Sequence, residues 1–283
     1  MKLLSNKILM VLLVLISVYG YISSCTHEDI VPPQQANPTP VITRGDQVLL
    51  PGTMTAGDST QWKLDKVHSS VLWTTAYVGA AGLLTGRFNQ FGMHEVTEAE
   101  MLQYTISGQP LKDTSWAFYE NDPSKTYING YVQINTSNTG EPGRDAGCNV
   151  SGMSTVAIIS GVQNLQPVNL AKIKSTKVEF DPYSNDYIVT LNLTWHSHND
   201  TLSNNSPDYT YDPNLPASKL ITKEIVGRLK YIPKARVIPV TGTPYSVFGL
   251  QLTFQFNCRD FNISSTSIGD VIDIECNMNF NNK

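Results

Sequence analysis

Every second residue from Phe248 to Cys258 is apolar: Phe248, Leu250, Leu252, Phe254, Phe256 and Cys258 alternate with Gly249, Gln251, Thr253, Gln255 and Asn257. Successive side chains of a strand point to opposite faces, so this pattern predicts one buried and one wet face. Ile272, Ile274, Cys276, Met278 and Phe280 alternate with Asp273, Glu275, Asn277 and Asn279 in the same way. Tyr187, Val189, Leu191, Leu193 and Trp195 make a third run, and shorter candidates cover 71–78, 128–134, 177–181 and 225–232. Helical periodicity is scarce. Thr97 followed by Glu100, ahead of Met101 and Leu102, has the form of a capping box and predicts one short helix. A second is expected after Gly147, and the Asn-, Asp- and Pro-rich stretch 199–216 predicts a long surface loop. Long antiparallel strands with one solvated face place the chain among all-β sandwiches and barrels.

The first 60 residues follow a different pattern. Lys2 and Lys7 precede an almost unbroken apolar run from Ile8 to Val18, and Tyr21-Ile22-Ser23-Ser24 leads into Cys25. A basic segment, a short apolar core and small residues before a cut make a signal peptide. The apolar run falls short of the ~20 residues a membrane helix needs. A cysteine directly after the small residues resembles the lipobox of bacterial lipoproteins, with Ile22 where Leu is usual and Ser24 where Gly or Ala is usual. The alternative is an ordinary secretory signal with an incidental cysteine. Pro32, Pro33, Pro38, Pro40 and Pro51, set among Gln, Asn, Thr and Gly, lack any apolar period and read as tether. The expected organisation is a signal peptide over 1–24, a lipid-bearing Cys25 with a tether over 25–60, and a β domain over 61–283. Palmitate on Cys25 would hold the chain to the outer membrane of a cell envelope, on its periplasmic face or at the cell surface.

Composition narrows the rest. Without residues 1–24 the chain has 18 basic and 24 acidic residues, a net charge of −6, and no basic patch to suit nucleic acid. Besides Cys25 there are Cys148, Cys258 and Cys276. Cys258 and Cys276 share inward parity on neighbouring strands, which leaves a bridge or two buried thiols open. Neither a nucleophile elbow nor a phosphate loop nor a dinucleotide fingerprint occurs, so no cofactor is implied.

Several motifs, in order, resemble the YceI family of polyisoprenoid-binding proteins. They are Trp62-Lys-Leu-Asp65 with His68-Ser69-Ser70-Val71; Gly86-Arg87-Phe88-Asn89-Gln90-Phe91-Gly92; Val132–Asn135 followed by Arg144-Asp145; Lys177-Val-Glu-Phe180; Gly227-Arg-Leu229; and Asp260-Phe261-Asn262 with Ile268-Gly269-Asp270-Val271-Ile272. The likeness covers about residues 61–280. Residues 93–126 stand where the family has a short turn, and Ala146-Gly147-Cys148-Asn149 departs from its continuation after Arg-Asp.

The resemblance implies a lipocalin-like, extended antiparallel β-barrel that binds an isoprenoid or another long-chain amphiphile such as a polyprenol or quinone, without catalysis. Leu191, Leu193, Trp195, Leu250, Leu252, Phe254, Phe256, Ile272, Ile274 and Met278 would face inward, as ligand wall or as packed filler. His68, Ser69 and Arg144 are candidates for holding a polar head; the competing reading gives them backbone-fixing roles. Two rival functions remain. A structural or adhesive surface lipoprotein would have a solid barrel and use its outer loops. An enzyme would use His196 and His198 as a metal pair, although no third ligand is evident. The sequence is compatible with a monomer or a homodimer.

Overall fold

The alternating runs are strands, and they curl into one barrel. The computed structural model describes residues 45–49, 57–78, 81–107, 111–141, 165, 170–196, 220–263 and 268–283, and the folded unit spans Asp46–Lys283. Its strands are β1 (Gly45–Leu49), β2 (Lys63–Leu64), β3 (Ser70–Tyr77), β4 (Gly82–Phe88), β5 (Phe91–Gly92), β6 (Trp116–Ala117), β7 (Tyr127–Gln133), β8 (Ser137–Asn138), β9 (Leu170–Asp181), β10 (Asp186–His196), β11 (Leu220–Pro239), β12 (Tyr245–Asn257) and β13 (Ile268–Asn281). The hydrogen-bonded order is β5-β7-β9-β10-β11-β12-β13-β3-β4-β8, antiparallel throughout.

The two ends of that order meet. β4 and β5 are one run broken at Asn89–Gln90, and β7 and β8 are one run broken by a 3-10 turn at Ile134–Thr136. At the break the Asn89 amide donates to the Thr136 carbonyl (3.1 Å), the Gln90 amide to Thr136 Oγ1 (2.9 Å), and the Gln133 amide to the Gln90 carbonyl (2.9 Å). Counted as runs, eight strands therefore surround one interior, a number whose lumen is just wide enough for side chains or one small ligand. The chain is an all-β, lipocalin-like antiparallel barrel.

Local chemistry explains the irregularities. β11 is much longer than the expected 225–232, and its register with β12 shifts between Ile232 and Ala235. Pro233 lies inside that shift, where the missing N–H of a proline is tolerated in a bulge. Gly86 sits directly opposite Trp73, and a Cβ there would come within 2.6 Å of the indole. The glycine lets Trp73 lie flat on the wall and donate to Ser137 Oγ (2.9 Å). At the β9–β10 turn, the Arg228 guanidinium contacts Asp181 (2.6 Å) and Asp186 (2.7 Å), and it holds the Asp181 carboxyl down to about 2.

The expected helix is present as α1 (Glu98–Ser107), closed by the capping box: the Glu100 amide donates to Thr97 Oγ1 (3.3 Å) and the Thr97 amide to Glu100 Oε2 (3.0 Å). Met101 and Tyr104 of α1 join Val96, Tyr131, Leu165 and Leu170 in a small separate core. The helix expected after Gly147 and the loop 199–216 lie outside the described residues.

Ordered structure begins before position 61. β1 falls within 45–49, and the Gln61 and Trp62 amides both donate to the Asp58 carbonyl. Proline and polar content conceals such backbone anchoring.

The described part of the stretch 93–126 is built into the core rather than appended to it. β6 pairs with β7, and Trp116 and Phe118 are wholly buried. Trp116 meets Phe280 (ring centroids 4.2 Å) and Phe248 (6.1 Å), while Phe118 meets Tyr231 (4.9 Å) and Tyr187 (5.3 Å). Trp62 adds an edge-on contact to Phe248 (4.8 Å), so one end of the barrel is filled with rings.

Candidate functional site: an apolar cavity inside the barrel

Along β12 the inward residues run from Phe248, in the aromatic plug, through Leu250, Leu252 and Phe254 to Phe256, a span of roughly 27 Å at about 3.4 Å per residue. At the far end Phe256 packs against Trp195 (5.3 Å) and Phe261 (5.5 Å). Between the two aromatic ends the interior is not filled.

A cavity of about 60 Å³ lies there. It is a narrow seam. For scale, an engineered cavity of about 150 Å³ holds benzene, so a bulkier occupant must push side chains aside. Met93 and Met278 are in the wall, and unbranched thioethers with three rotatable bonds yield more readily than branched or aromatic neighbours.

Seven of the ten inward residues expected from the alternation line this seam: Leu193, Trp195, Leu252, Phe254, Phe256, Ile274 and Met278. The cross-strand register explains their meeting, since Phe254 pairs with Ile274 on β13 and Leu252 with Cys276. Leu191, Leu250 and Ile272 are wholly buried but belong to packed core and do not line the cavity. The opposite wall comes from the short β4, β5 and β7 and from β9, and includes Phe88, Phe91, Ile128 and Ile173, with Met93 following β5. Phe88 and Phe91 belong to the Gly86–Gly92 motif, and Ile128 to the 128–134 run. Their alternation is too brief to assign an inward face without the barrel closure.

Among the described residues the lining carries no Lys, Arg, His, Asp or Glu. Its inward polar side-chain groups among the described residues are the Trp195 indole N–H and the Cys276 thiol. Tyr131 alternates with the inward Gly130 and Val132, pairs with Lys172, and packs its ring in the small separate core with Met101 and Tyr104. Burial pushes the Cys276 thiol up to about 12, so it stays neutral at physiological pH.

His68 and Ser69 are elsewhere. His68 sits in an exposed 3-10 turn with Nδ1 2.8 Å from Asp65 Oδ2. Ser69 Oγ donates to the Asp65 carbonyl (2.7 Å) and accepts from the Asn279 amide (2.9 Å). These contacts fix β2 and the turn after it onto β13, and neither residue lines the cavity. Arg144 lies outside the described residues, as do His198 and the side chain of His196.

Cys258 and Cys276 are both free and buried. Shared parity does not make them partners. Cys276 pairs with Leu252, six positions from Cys258, which separates them by roughly 20 Å along the sheet, far beyond the ~6 Å between Cα atoms of a disulfide.

No family model matches the sequence, and no curated protein matches it. Among solved structures, the chain is similar to BcnA of Burkholderia cenocepacia, with 12% identity, 77% of this chain and 99% of that chain covered, and a TM-score of 0.40. It is also similar to a polyisoprenoid binding domain from Saccharophagus degradans implicated in plant cell wall breakdown, with 9% identity, 78% of this chain and 97% of that chain covered, and a TM-score of 0.34.

Proposed function

We propose that the protein is a non-catalytic binding protein that carries an isoprenoid or a similar long-chain amphiphile in the barrel interior, while a lipid on Cys25 holds it in a bacterial cell envelope. One observation carries the ligand half of this reading: a seam whose described lining residues include no charged side chain lies within the barrel core. Protein interiors are normally filled to crystal-like density. An isoprenoid tail has no donors to satisfy, and each methylene it buries contributes about 0.8 kcal/mol. A few such groups offset the rearrangement of a methionine or two.

The test is native mass spectrometry of the protein expressed in a bacterial host, followed by lipid extraction. The expected result is a mass increment that organic solvent removes and that is recovered as a prenyl lipid. Protein that leaves the host membrane entirely unloaded, in every preparation, contradicts the carrier role.

The anchor rests on the signal-peptide pattern and Cys25. Cys25→Ala is expected to abolish palmitate labelling and to release the protein from membranes into the soluble fraction. Unchanged labelling and sedimentation would remove the lipoprotein assignment and leave the barrel reading intact.

A further inference from the structure

Three of the four buried indoles, those of Trp73, Trp116 and Trp195, are at most 1% exposed, and they differ in one respect. The Trp73 N–H donates to Ser137 Oγ (2.9 Å) and the Trp116 N–H to the Asp113 carbonyl (3.1 Å). The Trp195 N–H, on a residue 1% exposed, has no acceptor at all among the described residues. Leaving a buried donor unmade costs about 1–3 kcal/mol. Trp195 is also the one of these three that lines the cavity.

A resident water is a poor explanation. A buried water needs two to four polar partners, and among the described residues the inward side chains of the lining offer the Cys276 thiol besides this N–H. Lys172, on β9 between the lining residues Ala171 and Ile173, has the opposite parity and so points away from the cavity. With no cation among the described residues of the wall, an anionic head would enter the seam unpaired, at a high desolvation cost.

We propose that the Trp195 indole N–H is the polar anchor of the cavity, so that its occupant is a neutral amphiphile with an acceptor oxygen, carbonyl or hydroxyl, on an apolar chain. This rests on the carrier reading above and narrows it: prenyl alcohols and quinones fit, and prenyl phosphates do not.

The experiment measures displacement of a bound fluorescent apolar dye from the full chain by three probes: farnesol, its hydrocarbon analogue without the hydroxyl, and farnesyl phosphate. The wild type is expected to bind farnesol about three- to tenfold more tightly than the hydrocarbon, the net worth of one hydrogen bond, and the phosphate more weakly than either. Trp195→Phe keeps an aromatic ring and removes the donor. It is expected to bring farnesol down to the hydrocarbon's affinity and to leave the hydrocarbon unchanged.

A farnesol preference that persists in Trp195→Phe overturns the anchor, while binding of the hydrocarbon keeps the carrier reading. Should that variant fail to fold, equal wild-type affinities for alcohol and hydrocarbon overturn the anchor by themselves. Phosphate binding as tight as that of the alcohol overturns the neutral-ligand assignment. If no probe displaces the dye, the carrier reading fails and the anchor with it.

Discussion

Trp116→Ala is expected to destabilise the unliganded protein by about 3–5 kcal/mol, the range for removing a large aromatic ring from a packed core. The residue is wholly buried, its ring lies 4.2 Å from that of Phe280, and its N–H is satisfied by the Asp113 carbonyl. Alanine leaves a cavity where four elements meet. In a domain of this size each kcal/mol moves the melting temperature by roughly 2–4 °C, so a fall on the order of 10 °C is the outcome to look for. Lys112→Ala, an exposed change on the same segment, serves as control and is expected to stay within about 0.5 kcal/mol of wild type. Equal and small effects of the two would mean that 93–126 is an appendage after all.

The second large effect is at Phe254, which lies in the cavity wall opposite Ile274 and is 7% exposed. Phe254→Asp places a carboxylate in a lining whose described residues hold no cation to pair with it. Burying an unpaired charge costs several kcal/mol or more, so the variant is expected either to unfold or to lose ligand altogether. Phe254→Leu separates wall from filler. If the ring borders a space that ligands enter, the leucine variant melts near the wild-type temperature when empty, yet differs from it in farnesol affinity. If the ring is packing, the empty protein loses about 1 kcal/mol or more, because the deleted atoms leave a void, and added farnesol makes no difference. Paired melting curves, with and without farnesol, distinguish the two.

Much of this barrel was legible from the sequence, and the physical reason is the length of its alternation. β10, β12 and β13 each sustain a two-residue period over nine residues or more, which fixes both their state and their inward face. Thr97 and Glu100 likewise declared α1 through a local hydrogen-bond exchange. What was not legible depends on closure. β5, β6 and β8 are two residues each and owe their strand geometry to their neighbours, so Phe91 and Trp116 carry no readable period. Register was hidden too, and register decides that Cys276 faces Leu252 instead of Cys258. The same limit applies to the polar candidates. His68 and Ser69 were noticed as a motif, but their contacts to Asp65 and Asn279 exist only once β13 lies beside β2. Trp195 is buried in the structure, and nothing in its sequence context distinguished its unpaired N–H from the satisfied ones of Trp73 and Trp116.

The central claim is that the seam between the two aromatic ends is a binding site. The most direct measurement is the melting temperature of the wild-type protein as a function of added farnesol. A ligand that binds only the folded state stabilises it by RT ln(1 + [L]/Kd), about 2.7 kcal/mol at a hundred times Kd. The account predicts a melting temperature that keeps rising with the logarithm of farnesol concentration, by several degrees over the titration. A melting temperature that stays flat, for farnesol and for a short-tailed quinone alike, would mean that the barrel is filled by its own side chains, and the carrier reading would give way to the structural one.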